Sequence, residues 1–313
     1  MSQHTSSHPS LLAQFRSFCY QNKATDFEKA VEYFAVFGGM GWSVDMTQPI
    51  EKLIENKVLK NYRYIHGDIT KITNSKSTHH AMLTAIATGD RREHSAFKKI
   101  NIGRDGGEEV IDFLIKDGFL VFDKSIEKPV DEKDNISDKL LFVAPFMRFW
   151  FAMVSPTYKS IKEGDYSEFE QRWLAIKSEF TILIYTQLVM ELISLSFKEV
   201  FEGDPIISIG EYYDKNVSID ILAKRKSGAM LAGTCKYGKS KVNKSELTRL
   251  KELCKEAELD KVDTYVIFSK NKFSSELKKE KDTNIRLLSL RHLSKLMDNL
   301  SEQDLIVSTN KKY

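Results

Sequence analysis

Residues 207–238 read ISIGEYYDKNVSIDILAKRKSGAMLAGTCKYG, and the fold of the chain turns on them. Within this stretch, VSIDILA (217–223) and GAMLAGTCKY (228–237) are two runs of strand-forming residues joined by a Lys/Ser/Gly turn, the pattern of a hairpin. Asp220 falls on the first strand and Lys236 on the second. Side chains alternate along a strand, so Cys235 faces the core where Lys236 faces the other side.

The flanks extend the pattern. FTILIYTQLVMELISLSFKEVF (180–201) is a long apolar helix carrying one acid, Glu191, in an otherwise hydrophobic setting. Downstream, SELTRLKELCKEAEL (245–259) is an amphipathic helix with Leu247, Leu250 and Leu253 on one face. TYVIFSK (264–270) is a further buried strand that can run parallel to the second hairpin strand. The expected architecture is α+β: a helical N-terminal region and a winged helix, followed by a restriction-endonuclease-like α/β domain with a mixed central sheet.

An acidic helix, a strand bearing Asp, a strand bearing acid-x-Lys, then a helix and a strand is the αβββαβ plan of the PD-(D/E)xK nucleases, which the chain resembles. The chemistry accounts for that plan. Two carboxylates on adjacent strands hold Mg²⁺, the ion lowers the pKa of a bound water, and the lysine orients that water and offsets charge on the scissile phosphate. Glu191, Asp220 and Lys236 match these roles, with Glu191 and Asp220 as metal ligands, but Thr234 stands where the second acid belongs. A hydroxyl is a poorer Mg²⁺ ligand than a carboxylate. Glu211 and Glu246 are candidates to supply the missing acid from elsewhere. The bland alternative is that Asp220 caps a turn or forms a buried ion pair with Lys236.

The run is also similar to the C-terminal nuclease-like domain of prokaryotic, archaeal-type AAA ATPases. The resemblance rests on Met190-Glu191, on Ile209-Gly210-Glu211-Tyr212-Tyr213, on Ile219-Asp220-Ile221, and on Gly233-Thr234-Cys235-Lys236-Tyr237. It covers roughly residues 79–270. The ATPase half of that family has no counterpart here, since residues 1–78 carry no GxxxxGK[ST], and no ATP is expected as a cofactor. The resemblance implies a nucleic-acid-binding protein with Mg²⁺ as a cofactor and weak or lost cleavage. A non-catalytic protein-interaction or regulatory scaffold, with a protein partner, is the second reading.

Around the expected site, Lys224, Arg225, Lys226, Lys239, Lys241 and Lys244 join Lys236 in the densest positive cluster of the chain, which favours DNA or another polyanion nearby. A solvated turn is the alternative. The whole chain is not basic: its 313 residues carry a formal net charge of +3, so nucleic-acid binding must come from local patches. Hydrophobic residues at 42% and charged residues at 29% describe a chain that folds.

The upstream half divides into a helical region over 1–75, a winged helix over 76–145 and an aromatic-rich helical linker over 146–178, ahead of the nuclease-like domain at 179–313. LLAQFRSFCY, FEKAVEYFAVF and PIEKLIENKVLKNYRY supply the first helices, and GGMGWS (38–43) between them reads as a turn. From His79, three short helical patterns lead into FLVF and KLLFV as wing strands across the loop EKPVDEKDNISD, expected to be solvated. The third of these helices begins with Asp105, Glu108 and Glu109, whose charge opposes phosphate; Arg91, Arg92, Lys98 and Lys99 precede it. A packing or protein-contact winged helix is therefore favoured over a DNA reader. His79 and His80, neighbours pointing about 100° apart on a helix, read as a helix start or surface and not as a metal pair.

Phe146, Phe149, Trp150 and Phe151 read as core of the linker. Arg148 and two prolines interrupt the apolar stretch at 140–156, which therefore reads as core and not membrane. Cys19, Cys235 and Cys254 have no CxxC spacing and fit a reducing, cytoplasmic setting.

Overall fold

The structure, a computed structural model, describes residues 8–127, 136–200, 203–280 and 284–306, with only the backbone at 198–200. Residues 128–135 of the loop EKPVDEKDNISD (127–138), expected to be solvated, lie outside the described residues, as do residues 307–313. The chain divides into two compact units. The first comprises residues 1–122, 137–181 and 299–313, and the second 123–136 and 182–298.

The first unit is helical. α1 (Leu11–Gln21) and α2 (Phe27–Phe37) start at Ser10 and Asp26, whose side chains accept from backbone N–H groups three residues on. Phe15 meets Phe27 and Phe34 edge to face in the buried seam between them. α3 (Ile50–Ile54) continues through a π-helical turn over Glu55–Leu59, and α4 (Tyr62–Ile72) follows. Then come α5 (Ser77–Thr88), α6 (Glu93–Ile100), α7 (Arg104–Lys116) and the two-stranded sheet of β1 (Leu120–Asp123) and β2 (Lys139–Phe142).

The aromatic block is buried as expected, but it is not one helix. α8 (Pro145–Phe149) passes into a π turn at Trp150–Val154 and a 3-10 turn at Ser155–Thr157, then α9 (Tyr158–Glu163) and α10 (Ser167–Phe180). All of this segment belongs to the first unit, because Phe149 is enclosed edge to face by Phe169, Trp173 and Phe180. Arg148 lies over the Phe180 ring and donates to its carbonyl at 2.8 Å. The segment at 299–306 also belongs here: Arg16 and Asp304 pair at 2.6 Å.

The second unit is a mixed five-stranded sheet with helices on its faces. α11 (Ile182–Val200) leads into β3 (Ile206–Tyr213), β4 (Ser218–Arg225) and β5 (Met230–Lys236). α12 (Lys244–Glu256), β6 (Val262–Ser269), α13 (Ser275–Lys279), β7 (Ile285–Ser289) and α14 (Leu290–Leu293) follow. The strand order is β3-β4-β5-β6-β7, antiparallel through β5 and parallel from β5 to β7. The β4–β5 turn closes at Gly228, whose φ of +90° suits glycine. Gly233 sits where a Cβ would lie 3.2 Å from Ile221 and 3.3 Å from the Val266 carbonyl, a tight fit that a side chain could enter only if its neighbours shifted by a few tenths of an ångström.

Leu222, Ala232 and Met230 pack against Leu250 and Cys254 of α12, which covers one sheet face. Cys235 and Tyr237 turn to the opposite face, where the Tyr237 hydroxyl meets Thr186 of α11 at 2.5 Å. Residues 123–127 extend the β3 edge: Ile126 N–H donates to the Glu211 carbonyl and Tyr213 N–H to Ser125 Oγ. The helical run Ser167–Phe197 contains a stretch apolar enough to cross a bilayer by length and composition, and half of that stretch is buried within the protein.

Candidate functional site

The hairpin register sets Asp220 beside Thr234, since Ile221 pairs with Gly233 one position on. Thr234 Oγ1 donates to Asp220 Oδ2 at 2.9 Å, and the Cys235 backbone N–H donates to the same oxygen at 2.7 Å. Two donors on one oxygen fix the carboxylate and leave its other oxygen facing a different direction. Lys236, two residues along the same strand face, pairs with Glu246 at 2.7 Å. Glu246 stands in the first turn of α12. Asp220, Thr234, Lys236, Glu246 and Arg249 together line a cleft of about 90 Å³.

Lys236 forms its ion pair with Glu246 and not with Asp220, which corrects the expected alternative. The reason is the crossover: α12 returns over β5 and brings an acid to the strand end. Both partners are about one third exposed, so the pair is partly screened. The cleft balances two carboxylates against two cations.

Glu191 does not line this cleft. It stands on α11, the helix that covers the other sheet face, and burial pushes its carboxyl above the usual range. Glu211 lies on β3 and accepts at 3.2 Å from the hydroxyl of Ser218, a residue of the cleft's lining, without lining the cleft itself.

Most of the basic cluster is already engaged. Lys224 pairs with Glu127 and Lys244 with Glu280. Arg225 is buried, and its guanidinium is held by Asp204 and Asp263. That placement corrects its expected role as a polyanion contact: the strand end carries Arg225 inward, where Asp204 and Asp263 offset its charge. Lys226, Lys239 and Lys241 are exposed.

Arg249 was not singled out in the sequence. Its signal was the i, i+3 spacing from Glu246 on the polar face of an otherwise legible helix.

A family model described as "Archaea bacterial proteins of unknown function" (DUF234) matches residues 150–249. That stretch includes Asp220, Thr234, Lys236, Glu246 and Arg249. No curated protein and no solved structure matches the chain.

Proposed function

We propose that this chain is a nucleic-acid-binding protein whose second unit is a PD-(D/E)xK nuclease-like domain with weak, Mg²⁺-dependent cleavage. The observation that carries the reading is the meeting of Asp220, Thr234 and Lys236 with Glu246 in one cleft. Glu246 takes the part of the acid that Thr234 lacks. The order α11, β3, β4, β5, α12, β6 supports the reading, being the helix, three-strand, helix, strand plan of that class. The order α5, α6, α7, β1, β2 in the first unit supports a winged helix.

The donor set fits a hydrated Mg²⁺. This ion takes one or two carboxylates and keeps several waters, and the cleft offers Asp220, Glu246 and the lone pairs of the Thr234 hydroxyl. Among the described residues, no group of three or more His, Cys, Asp or Glu side chains forms a denser cage. Bound there, Mg²⁺ would acidify a water and polarise a phosphate oxygen. The protein's part is to hold Asp220 in place through Thr234 and the Cys235 amide. Lys236, released from Glu246, would meet the negative charge that grows on the phosphate.

The second reading, a non-catalytic scaffold for a protein partner in the cytoplasm, draws on the neutralisation of Lys224, Arg225, Lys236 and Lys244 by acids of the same unit. Calorimetric titration with Mg²⁺ and Mn²⁺, a salt-dependent DNA-binding assay and a plasmid-nicking assay separate the two. The nuclease reading expects metal binding and slow nicking in the wild type, both lost in Asp220→Ala and Glu246→Ala. DNA binding without nicking would leave a binding domain that has lost cleavage. Neither DNA nor metal binding would sink the proposal in favour of the scaffold.

A further inference from the structure

In the first unit, α4, the π turn over Glu55–Leu59, the end of α1 and the chain at 41–43 surround an open cavity of about 860 Å³. That volume lies within the range of small-molecule sites. Its charge is one-sided. Lys57, Arg63 and Lys71 line it against a single acid among the described residues, Asp68, which stands 3.8 Å from Lys71. Among the described residues, the side chains of Lys57 and Arg63 have neither a hydrogen bond nor an ion pair, so two cations face the cavity uncompensated.

The amides of the wall add acceptors. Gln21 Nε2 donates to the Gly41 carbonyl at 2.8 Å, and Asn61 Nδ2 donates to the Asn56 carbonyl at 2.8 Å. Each amide is thereby fixed through its nitrogen, and no donor among the described residues reaches either amide oxygen.

The aromatic part of the wall is bare. Tyr64 is 76% exposed, and its ring meets no other ring or cation among the described residues. Gly67, one turn further along, stands in the middle of α4. Glycine weakens a helix interior, and packing does not call for it here: nothing beyond its own helix backbone lies within 4 Å of where a Cβ would stand. What the missing side chain does achieve is to keep the space beside the Tyr64 ring clear.

We propose that this cavity binds a nucleotide whose base carries an exocyclic amino group. The phosphate meets Lys57 and Arg63, the base lies on Tyr64 over Gly67, and its amino group donates to the amide oxygen of Gln21 or Asn61. A nucleotide answers all three features together, since a simple anion would leave the ring and the amide oxygens unused, and an uncharged ring would leave the two cations. A free mononucleotide and the end of a single strand share this chemistry. The site lies wholly in the first unit and does not depend on the nuclease reading.

Calorimetry of the full chain at pH 7 and low salt tests it, with AMP, IMP, inorganic phosphate and a deoxyadenylate hexamer as probes. AMP should bind with a Kd below about 1 mM, roughly tenfold tighter than inorganic phosphate and several-fold tighter than IMP, which lacks the amino group. Arg63→Ala should weaken AMP and phosphate alike, about tenfold. Tyr64→Ala should weaken AMP and leave phosphate unchanged. Gly67→Leu should also lose AMP, while its Tm stays equal to or above that of the wild type, because the helix gains a better former and the new side chain meets no obstacle. A hexamer that binds far more tightly than AMP, and is weakened by Gly67→Leu, would assign a strand end as the ligand; a hexamer no tighter than AMP would assign the free nucleotide. Absence of saturable AMP binding up to about 10 mM would overturn the proposal, as would AMP binding that none of the three variants alters. IMP as tight as AMP would overturn the part given to the amides.

Discussion

Thr234→Glu supplies the second acid that the proposed nuclease-like site calls for, and the geometry makes its cost and its rescue calculable. The substitution removes the 2.9 Å hydrogen bond from Thr234 Oγ1 to Asp220 Oδ2. A hydrogen bond to a charged acceptor contributes about 1.5–3 kcal/mol. It also brings a second carboxylate toward the first, and two like charges at about 4 Å repel by roughly 4 kcal/mol in an effective dielectric of about 20. Position 234 is only half-buried, so the longer Glu can turn partly to solvent. A net loss of about 2–4 kcal/mol in EDTA is therefore expected, which for a domain of this size lowers Tm by roughly 8–16 °C. Mg²⁺ at a hundredfold excess over its Kd would return about 2.7 kcal/mol, most of the loss.

Differential scanning calorimetry reads both arms, and the tryptophans help assign the transition. Trp42, Trp150 and Trp173 all lie in the first unit, so a transition that shifts without a matching change in tryptophan fluorescence belongs to the second. A Thr234→Glu protein as stable as wild type in EDTA would refute the carboxylate juxtaposition. One whose Tm does not rise with Mg²⁺ at all would refute the metal site.

A double-mutant cycle on Lys236 and Glu246 should return a coupling of about 1 kcal/mol, the upper end for a pair about 30% exposed, measured by urea denaturation. Burial holds the imidazoles of His66, His79 and His80 below their usual pKa, so the folded first unit binds fewer protons than the unfolded chain. Stability that is full above about pH 6.5 should fall as the pH drops toward 5, and urea unfolding followed by tryptophan fluorescence should show a shallower fall in His80→Gln. All three thiols are buried and raised, Cys19 to about 12 and Cys254 to about 11, so a thiol reagent at pH 8 should leave the native protein unlabelled and modify three cysteines after denaturation.

The sheet was legible where local pattern and tertiary role agree. The β4–β5 hairpin, α12 and β6 were read from alternation, a glycine turn and a leucine stripe, and each of these is what packs the core. β7 was not read: IRLLS is short, half polar and recognisable only through its pairing with β6. The membership of 299–306 in the first unit was equally invisible, because it rests on an ion pair between Arg16 and Asp304, 288 positions apart. The cavity in the first unit escaped for a related reason. Gln21 and Arg63 sit on two helices, and nothing in either helix's own period announces that they line one space.

The same logic explains why Asp220, Thr234 and Lys236 could be placed from sequence while their charge environment could not. A strand register is set by alternation, so two residues on neighbouring strands of one hairpin are bound to meet. The acid that neutralises Lys236 arrives on a helix, and its position depends on how α12 crosses the sheet, a property of packing angle. Sequence pattern thus predicts which groups share a strand face, and tertiary packing decides which of them carry net charge. In this cleft the difference is decisive: a lysine paired with Asp220 would close the site, whereas a lysine paired with Glu246 leaves the Asp220 carboxylate held, among the described residues, by a hydroxyl and an amide.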